Sequence, residues 1–224
     1  MISSEKVNRS VYFDVSAGLA ESKPIGTMVG VTTETTAGEQ PASRGGRGAR
    51  ERILRAATDL FYEQGIGNTG VEQLAEAAHV SKRTLYQHFP SKDELIVGYL
   101  RRVTEQRLPA LTGVLADTGM TARERLLGVF DVDAARGCPF VNAAAELADA
   151  EHPARRVCSE NKQAFIDTLI RLAAEAGARD PDALGHQLAV LYDGATAQGG
   201  ALHSTQPAYH ARAAAAALID LATA

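Results

Sequence analysis

From residue 47 onward the apolar positions recur at helical spacing. In RGARERILRAATDLFYEQG, residues Ile53, Leu54, Ala57, Leu60 and Phe61 fall on one face, which predicts an amphipathic helix. Gly65 stands where that helix needs a left-handed residue to stop it, and Ile66 packs back on its end. Val71, Leu74, Ala75 and Ala78 mark the buried side of a short second helix, with Thr69 just ahead of it as the expected cap. After a tight break at His79-Val80, Ser81 caps a third short helix, KRTLYQHF, and Pro90 stops it. Ser91 to Glu94 read S-x-x-E, a capping box, and open a longer helix with Leu95, Ile96, Tyr99, Leu100 and Val103 inside. One helix, two short helices across a tight turn and a fourth leading away make a helix-turn-helix arrangement.

Beyond residue 104 the pattern stays helical. Helices are expected near 121–135, 140–149, 154–177, 182–199 and 207–222, with Pro153, Pro181 and Pro207 in tolerated first-turn positions. Alanine-rich runs such as ARAAAAALIDLATA, and the lack of β-branched alternation after residue 45, predict an all-α protein. No fixed-period repeat supports a solenoid. Before residue 47 the periodicity lapses: TTETTAGEQPASRGG has none, so residues 1–46 are expected to form a disordered N-terminal tail. VYFDV (11–15) has the composition of a strand but no partner, and Met28 inside the tail is an alternative start of translation.

Charge sharpens this division. The chain carries −4 overall, yet residues 44–103 hold ten basic against seven acidic groups, while residues 1–43 sum to −2 and residues 104–224 to −5. A basic module on an acidic body suits a polyanion bound locally. With only Cys138 and Cys158, a disulfide framework is not expected and a reducing cytoplasm fits better. No apolar run reaches the ~18 residues a membrane span needs, and without a basic region followed by an apolar core at the N-terminus a signal peptide is not expected.

The candidate chemistry lies on the third helix. With Leu85 and Phe89 turned to the core, Arg83, Thr84 and Gln87 point outward, Lys82 and Tyr86 flank one side, and His88 the other. A B-DNA major groove admits such a helix, and its base edges suit Arg83 on guanine and Gln87 on adenine. Phosphates along the groove walls fall to Lys82, Tyr86, His88 and Lys92, with Thr69 and Ser81 at helix starts as further anchors. Arg44, Arg47 and Arg50 ahead of the first helix form a candidate minor-groove arm.

Those residues carry a resemblance. AATDLFYEQG, TGVEQLAEAAHVS and KRTLYQHFPSKDELI, within Arg52 to Val103, resemble the DNA-binding domain of the TetR family of bacterial transcriptional regulators, and GCPFVNAAAEL (137–147) resembles a run in some effector domains of that family. The resemblance implies a homodimer on a palindromic double-stranded DNA operator, most often repressing a neighbouring gene and released by a small-molecule effector. By position it places Thr84, Tyr86 and Lys92 at frequent DNA-contacting sites, and Lys82 and Arg83 at specificity-setting ones. One departure is His79, where members often carry glycine; a left-handed backbone is tolerable for His but less comfortable. The division is then a tail at 1–46, a helix-turn-helix DNA-binding domain at 47–103, and an effector-binding and dimerisation domain at 104–224.

In the C-terminal half no catalytic constellation stands out. Cys138 with His152 or His186 lacks any local signature, so an enzyme is not expected. The histidines His152, His186, His203 and His210 have no metal-ligand spacing, and no cofactor is called for. Phe130, Phe140, Asn142, Phe165 and Tyr192 are the candidates for an effector pocket, and Leu184, Leu188, Leu191 and Ala195 for a dimer stripe. An architectural DNA-binding protein without effector is the rival reading, and it predicts little sequence preference; an α-helical enzyme is the more distant one.

Overall fold

The computed structural model describes residues 48–131 and 136–224. The expected tail, with Arg44 and Arg47, lies outside them. All described secondary structure is helical. Helices α1 (Ala49–Gln64), α2 (Val71–Ala77), α3 (Lys82–His88) and the first half of α4 (Lys92–Ala116) enclose a first core of Ile53, Leu54, Phe61, Leu74, Leu85, Phe89, Leu95 and Tyr99. Phe61 meets Tyr99 edge-on, with ring centroids 5.5 Å apart, a favourable aromatic geometry.

The turns between these helices follow from their residues, with one correction. Gly65 takes φ 90° and its N–H donates to Phe61 O at 3.1 Å, ending α1. The cap of α2 is Gly70, not Thr69. Thr69 is 1% exposed, and its hydroxyl donates to Gly65 O at 2.7 Å. A short loop forces this side chain inward, where it satisfies a carbonyl at the end of α1. It is neither a helix cap nor a surface group. His79 adopts φ 51°, the left-handed turn expected of it, and its N–H donates to Glu76 O at 2.9 Å. Ser81 and Ser91 accept the N–H of Thr84 and of Glu94, each at 3.1 Å, and so start α3 and α4, although the capping box expected at Ser91–Glu94 forms only this half of its pair of bonds.

Helices α5 (Ala122–Gly128), α6 (Pro139–Glu146), α7 (Pro153–Glu175), α8 (Pro181–Leu202) and α9 (Gln206–Thr223), with a short 3-10 turn at Val129–Asp131, build the remainder. The reciprocal capping box occurs at α5, where Thr121 and Glu124 each satisfy the other's backbone N–H. A second core forms from Leu126, Phe130, Phe165, Leu169, Leu172, Leu184, Leu188, Ala215 and Ile219. Its most extensive helix pair is α7 with α8. Gly185 makes that approach possible, because a Cβ there would lie 2.8 Å from the backbone nitrogen of Ile170.

Two expectations change. The anticipated boundary at 103/104 falls inside α4, which runs unbroken for 25 residues. The first core also takes in Phe140 and Ala143 from α6, and Ala154 and Cys158 from α7. Burial, with Cys138 nearby as the second cause, pushes the Cys158 thiol up to about 11, so it stays protonated at neutral pH. In the second core, Leu184 and Leu188 are buried within their own chain, as is Ala195, and Leu191 packs partly against them. The stripe expected to join two subunits thus faces inward. The opposite side of α8 carries Val190, Gly194, Ala197 and Ala201, and α9 exposes Ala213, Ala217 and Leu221. Among the described residues no helix is long and apolar enough to cross a membrane.

Candidate nucleic-acid interface

Leu85 and Phe89 are buried and fix the rotation of α3 on the first core. That rotation leaves Lys82, Arg83, Tyr86 and Gln87 exposed, with Thr84 and His88 half-buried at the edges. Arg83 and Gln87, four residues apart, project about 40° from one another around the helix axis. Both therefore look outward from one side. Nothing in the first core competes for them.

The groups expected to anchor phosphates are less free than the sequence implied. Lys82 is ion-paired with Glu72 in the first turn of α2, and both side chains are more than half exposed. The hydrogen bond from Lys82 holds the Glu72 carboxyl below the usual carboxylate range. The Lys92 ammonium donates to Ile66 O at 2.7 Å, in the loop between α1 and α2. An ammonium has three donors, so this bond occupies one of them. The hydroxyls of Ser81 and Thr84 lie 2.9 Å apart, and the Ser81 oxygen also accepts the Thr84 N–H. Both groups thus begin from a fixed geometry at the start of α3.

Arg50 does not belong to an arm. It is the second residue of α1, and its guanidinium lies 5.2 Å from the centroid of Phe89, a cation–π contact at the far end of α3. The sequence reading missed this stacking, and it missed Glu72. Neither leaves a local signal: Glu72 and Lys82 are ten positions apart, and only the angle between α2 and α3 brings them together. Arg52 was also overlooked; its Nε donates to Ala78 O at 3.0 Å and ties the end of α2 to α1.

The five pocket candidates do not converge. Phe165 and Tyr192 pack with centroids 4.9 Å apart, and Phe130 adds an edge contact to Tyr192 at 6.4 Å. Lys162, ion-paired with Asp193, sits 5.7 Å from the ring centroids of both Phe165 and Tyr192. Phe140 instead packs into the first core, and it borders an open groove of about 1050 Å³ between α4, α6 and α7. Asn142 is exposed and donates to Arg136 O at 2.7 Å. Residue type put the aromatic residues and the polar Asn142 in one group; the two separate cores divide the aromatic residues, and Asn142 lies at the surface. Among the described residues no group of three or more His, Cys, Asp or Glu side chains is placed to hold a metal ion.

Residues 53–98 match the family model described as bacterial regulatory proteins, tetR family, and residues 122–215 match the tetracyclin repressor-like C-terminal domain. Among solved structures, the sav143 protein of Streptomyces avermitilis, titled a TetR-type transcriptional regulator, is 36% identical with a TM-score of 0.68; the match covers 78% of this chain and 97% of that one. SCO4454, a TetR-family transcriptional regulator from Streptomyces coelicolor, is 30% identical with a TM-score of 0.71, over 79% and 96% of the two chains. The HTH-type transcriptional regulator TcmR of Streptomyces glaucescens is 42% identical over 65 residues, and that stretch spans only 29% of its length. YjdC, an HTH-type transcriptional regulator of Escherichia coli, is 26% identical over 65% of this chain and 80% of its own.

Proposed function

The chain belongs to the TetR family of bacterial regulatory proteins, and on that premise we propose that it is a cytoplasmic repressor that binds a palindromic operator as a homodimer and is released by a small molecule. It has a helix-turn-helix for DNA and a C-terminal helical domain, as its relatives do. The observation that carries the reading is the orientation of α3: Leu85 and Phe89 are buried while Arg83 and Gln87 face outward together. Arg83 pairs with a guanine and Gln87 with an adenine in the major groove. Lys82, Tyr86, His88 and Lys92 meet phosphates, which sets register without reading sequence. Lys82 does so by exchanging Glu72 for a phosphate oxygen.

Dimerisation follows from the geometry of the target, since two half-sites about one helical turn (~34–36 Å) apart need two copies of α3. The exposed small and apolar side of α8 and α9, rather than Leu184 and Leu188, supports a four-helix contact between subunits. For the effector, Phe130, Phe165 and Tyr192 with the Lys162–Asp193 ion pair at their edge support a site of mixed aromatic and polar character. No part of this reading calls for an enzymatic reaction.

Selecting bound duplexes from a random pool tests the proposal. The expected product is an inverted repeat; recovery of DNA without a shared sequence would favour an architectural role instead. Arg83→Ala should then relax the preference at one base pair in each half-site, worth ~1–3 kcal/mol of discrimination. A uniform loss of affinity across all sequences would move Arg83 among the phosphate anchors.

A further inference from the structure

We infer that Glu146, at the end of α6, is a positioning residue for DNA binding, acting on Lys92 through one peptide group. The Ile66–Gly67 peptide is gripped at both ends. Its carbonyl accepts from the Lys92 ammonium at 2.7 Å, and its N–H donates to Glu146 Oε2 at 2.8 Å. Three elements meet at this plane: the loop after α1, the first residue of α4 and the last residue of α6.

The loop is shaped to receive the carboxylate. A Cβ on Gly65 would stand 3.1 Å from both Glu146 oxygens, and one on Gly67 would stand 3.6 Å from Oε2. Gly65 also has φ +90°, so a side chain there is strained as well as crowded. Two glycines thus leave a seat that Glu146 fills. The electrostatics run in one direction along the chain of bonds. A carboxylate on the N–H polarises the peptide and makes its carbonyl a better acceptor, which strengthens the bond from Lys92. Both bonds are charge-assisted.

The consequence concerns a flexible side chain. An untethered lysine loses much of its rotamer freedom when it grips a phosphate, and that loss subtracts from affinity. Tethered to Ile66, Lys92 has already lost it, while two of its three N–H donors stay available. Glu146 therefore improves DNA binding without touching DNA. A residue of the C-terminal half acts on an anchor at the start of α4. The inference rests on the reading above that Lys92 contacts a phosphate.

Operator affinity and its salt dependence, measured on the full chain with the duplex recovered by selection, separate the two. Lys92→Ala should weaken binding and lower the salt slope by about one. Glu146→Ala should weaken it about five-fold, the low end of coupling between sites. In the Lys92→Ala background the same change should have no further effect. Glu146→Gln, which keeps an acceptor but loses the charge, should fall between wild type and Glu146→Ala. If Lys92→Ala leaves affinity and slope unchanged, the reading of Lys92 as an anchor fails. If Lys92→Ala behaves as expected but Glu146→Ala is silent, or multiplies in full with it, the inference alone is overturned. A rise in affinity for Glu146→Gln would also overturn it, since Glu146 would then only be repelling phosphate. Non-additivity with Lys92 is a readout that general weakening of the fold does not produce.

Discussion

Val190→Arg is expected to convert the proposed dimer to a monomer and to weaken operator binding by about a thousand-fold. Val190 is 73% exposed on the side of α8 that carries Gly194 and Ala197, so in a single chain the new side chain reaches solvent and disturbs no core. In the proposed four-helix contact the same guanidinium would be buried among the small residues of that face. An unpaired buried charge costs several kcal/mol, enough to undo an interface of moderate size. A monomer keeps one α3 and therefore one half-site, which forfeits most of the gap between specific and non-specific binding; that gap spans ~10³–10⁷. Light scattering gives the mass, and titration of the selected duplex gives the affinity. A Val190→Arg protein that stays dimeric and binds normally would place the subunit contact on another surface.

The largest effect on stability should come from Gly185→Ala. Alanine normally improves a helix interior by about 1 kcal/mol over glycine. Here the added Cβ would lie 2.9 Å from Ile170 Cα and 2.8 Å from its backbone nitrogen, and neither can swing aside as a side-chain tip would. The pair α7 and α8 must part, and overpacking of this kind costs ~1–3 kcal/mol at ordinary sites. With backbone atoms as the obstacle, a net loss of about 2 kcal/mol is expected, or a fall of about 4–8 °C in the thermal midpoint for a domain of this size. Gly113→Ala is the control: a Cβ there meets nothing within 4 Å, so the ordinary helix gain of ~0.5–1 kcal/mol should appear. Circular dichroism melts of both variants decide the matter. Equal midpoints would mean that α7 and α8 adjust to the methyl group at no cost.

How far these features were legible in the sequence depends on whether they are local. The caps at Ser81 and Ser91 and the outward set on α3 follow from neighbours within four residues, and periodicity carries that range well; the left-handed His79 came instead from the family resemblance, at a position where members often carry glycine. Thr69 misled because hydroxyl residues favour caps on average, while a loop of this length turns this one inward. On α8 the failure has a geometric source. Leu184, Leu188, Leu191 and Ala195 make one stripe, and Val190, Gly194, Ala197 and Ala201 make another. A helix with two low-polarity faces does not reveal which one meets its own chain, and the larger side chains went inward. Phe140 and Asn142 were grouped with Phe165 by composition alone. Only the course of α6 across α1 and α4 separates them.

That course has a bearing on how such regulators are recombined. The recognition motif itself ends with α3 at His88. In this chain Phe140, Ala143, Ala154 and Cys158 belong to the core that supports α3. A graft of residues 48–103 onto a foreign partner would leave Phe61 and Tyr99 without part of their covering, and Glu146 would no longer reach Gly67. The unit that can be moved between proteins is therefore discontinuous. It is the segment through α4 together with the stretch from Cys138 to Cys158, so a working chimaera needs two splice windows rather than one junction.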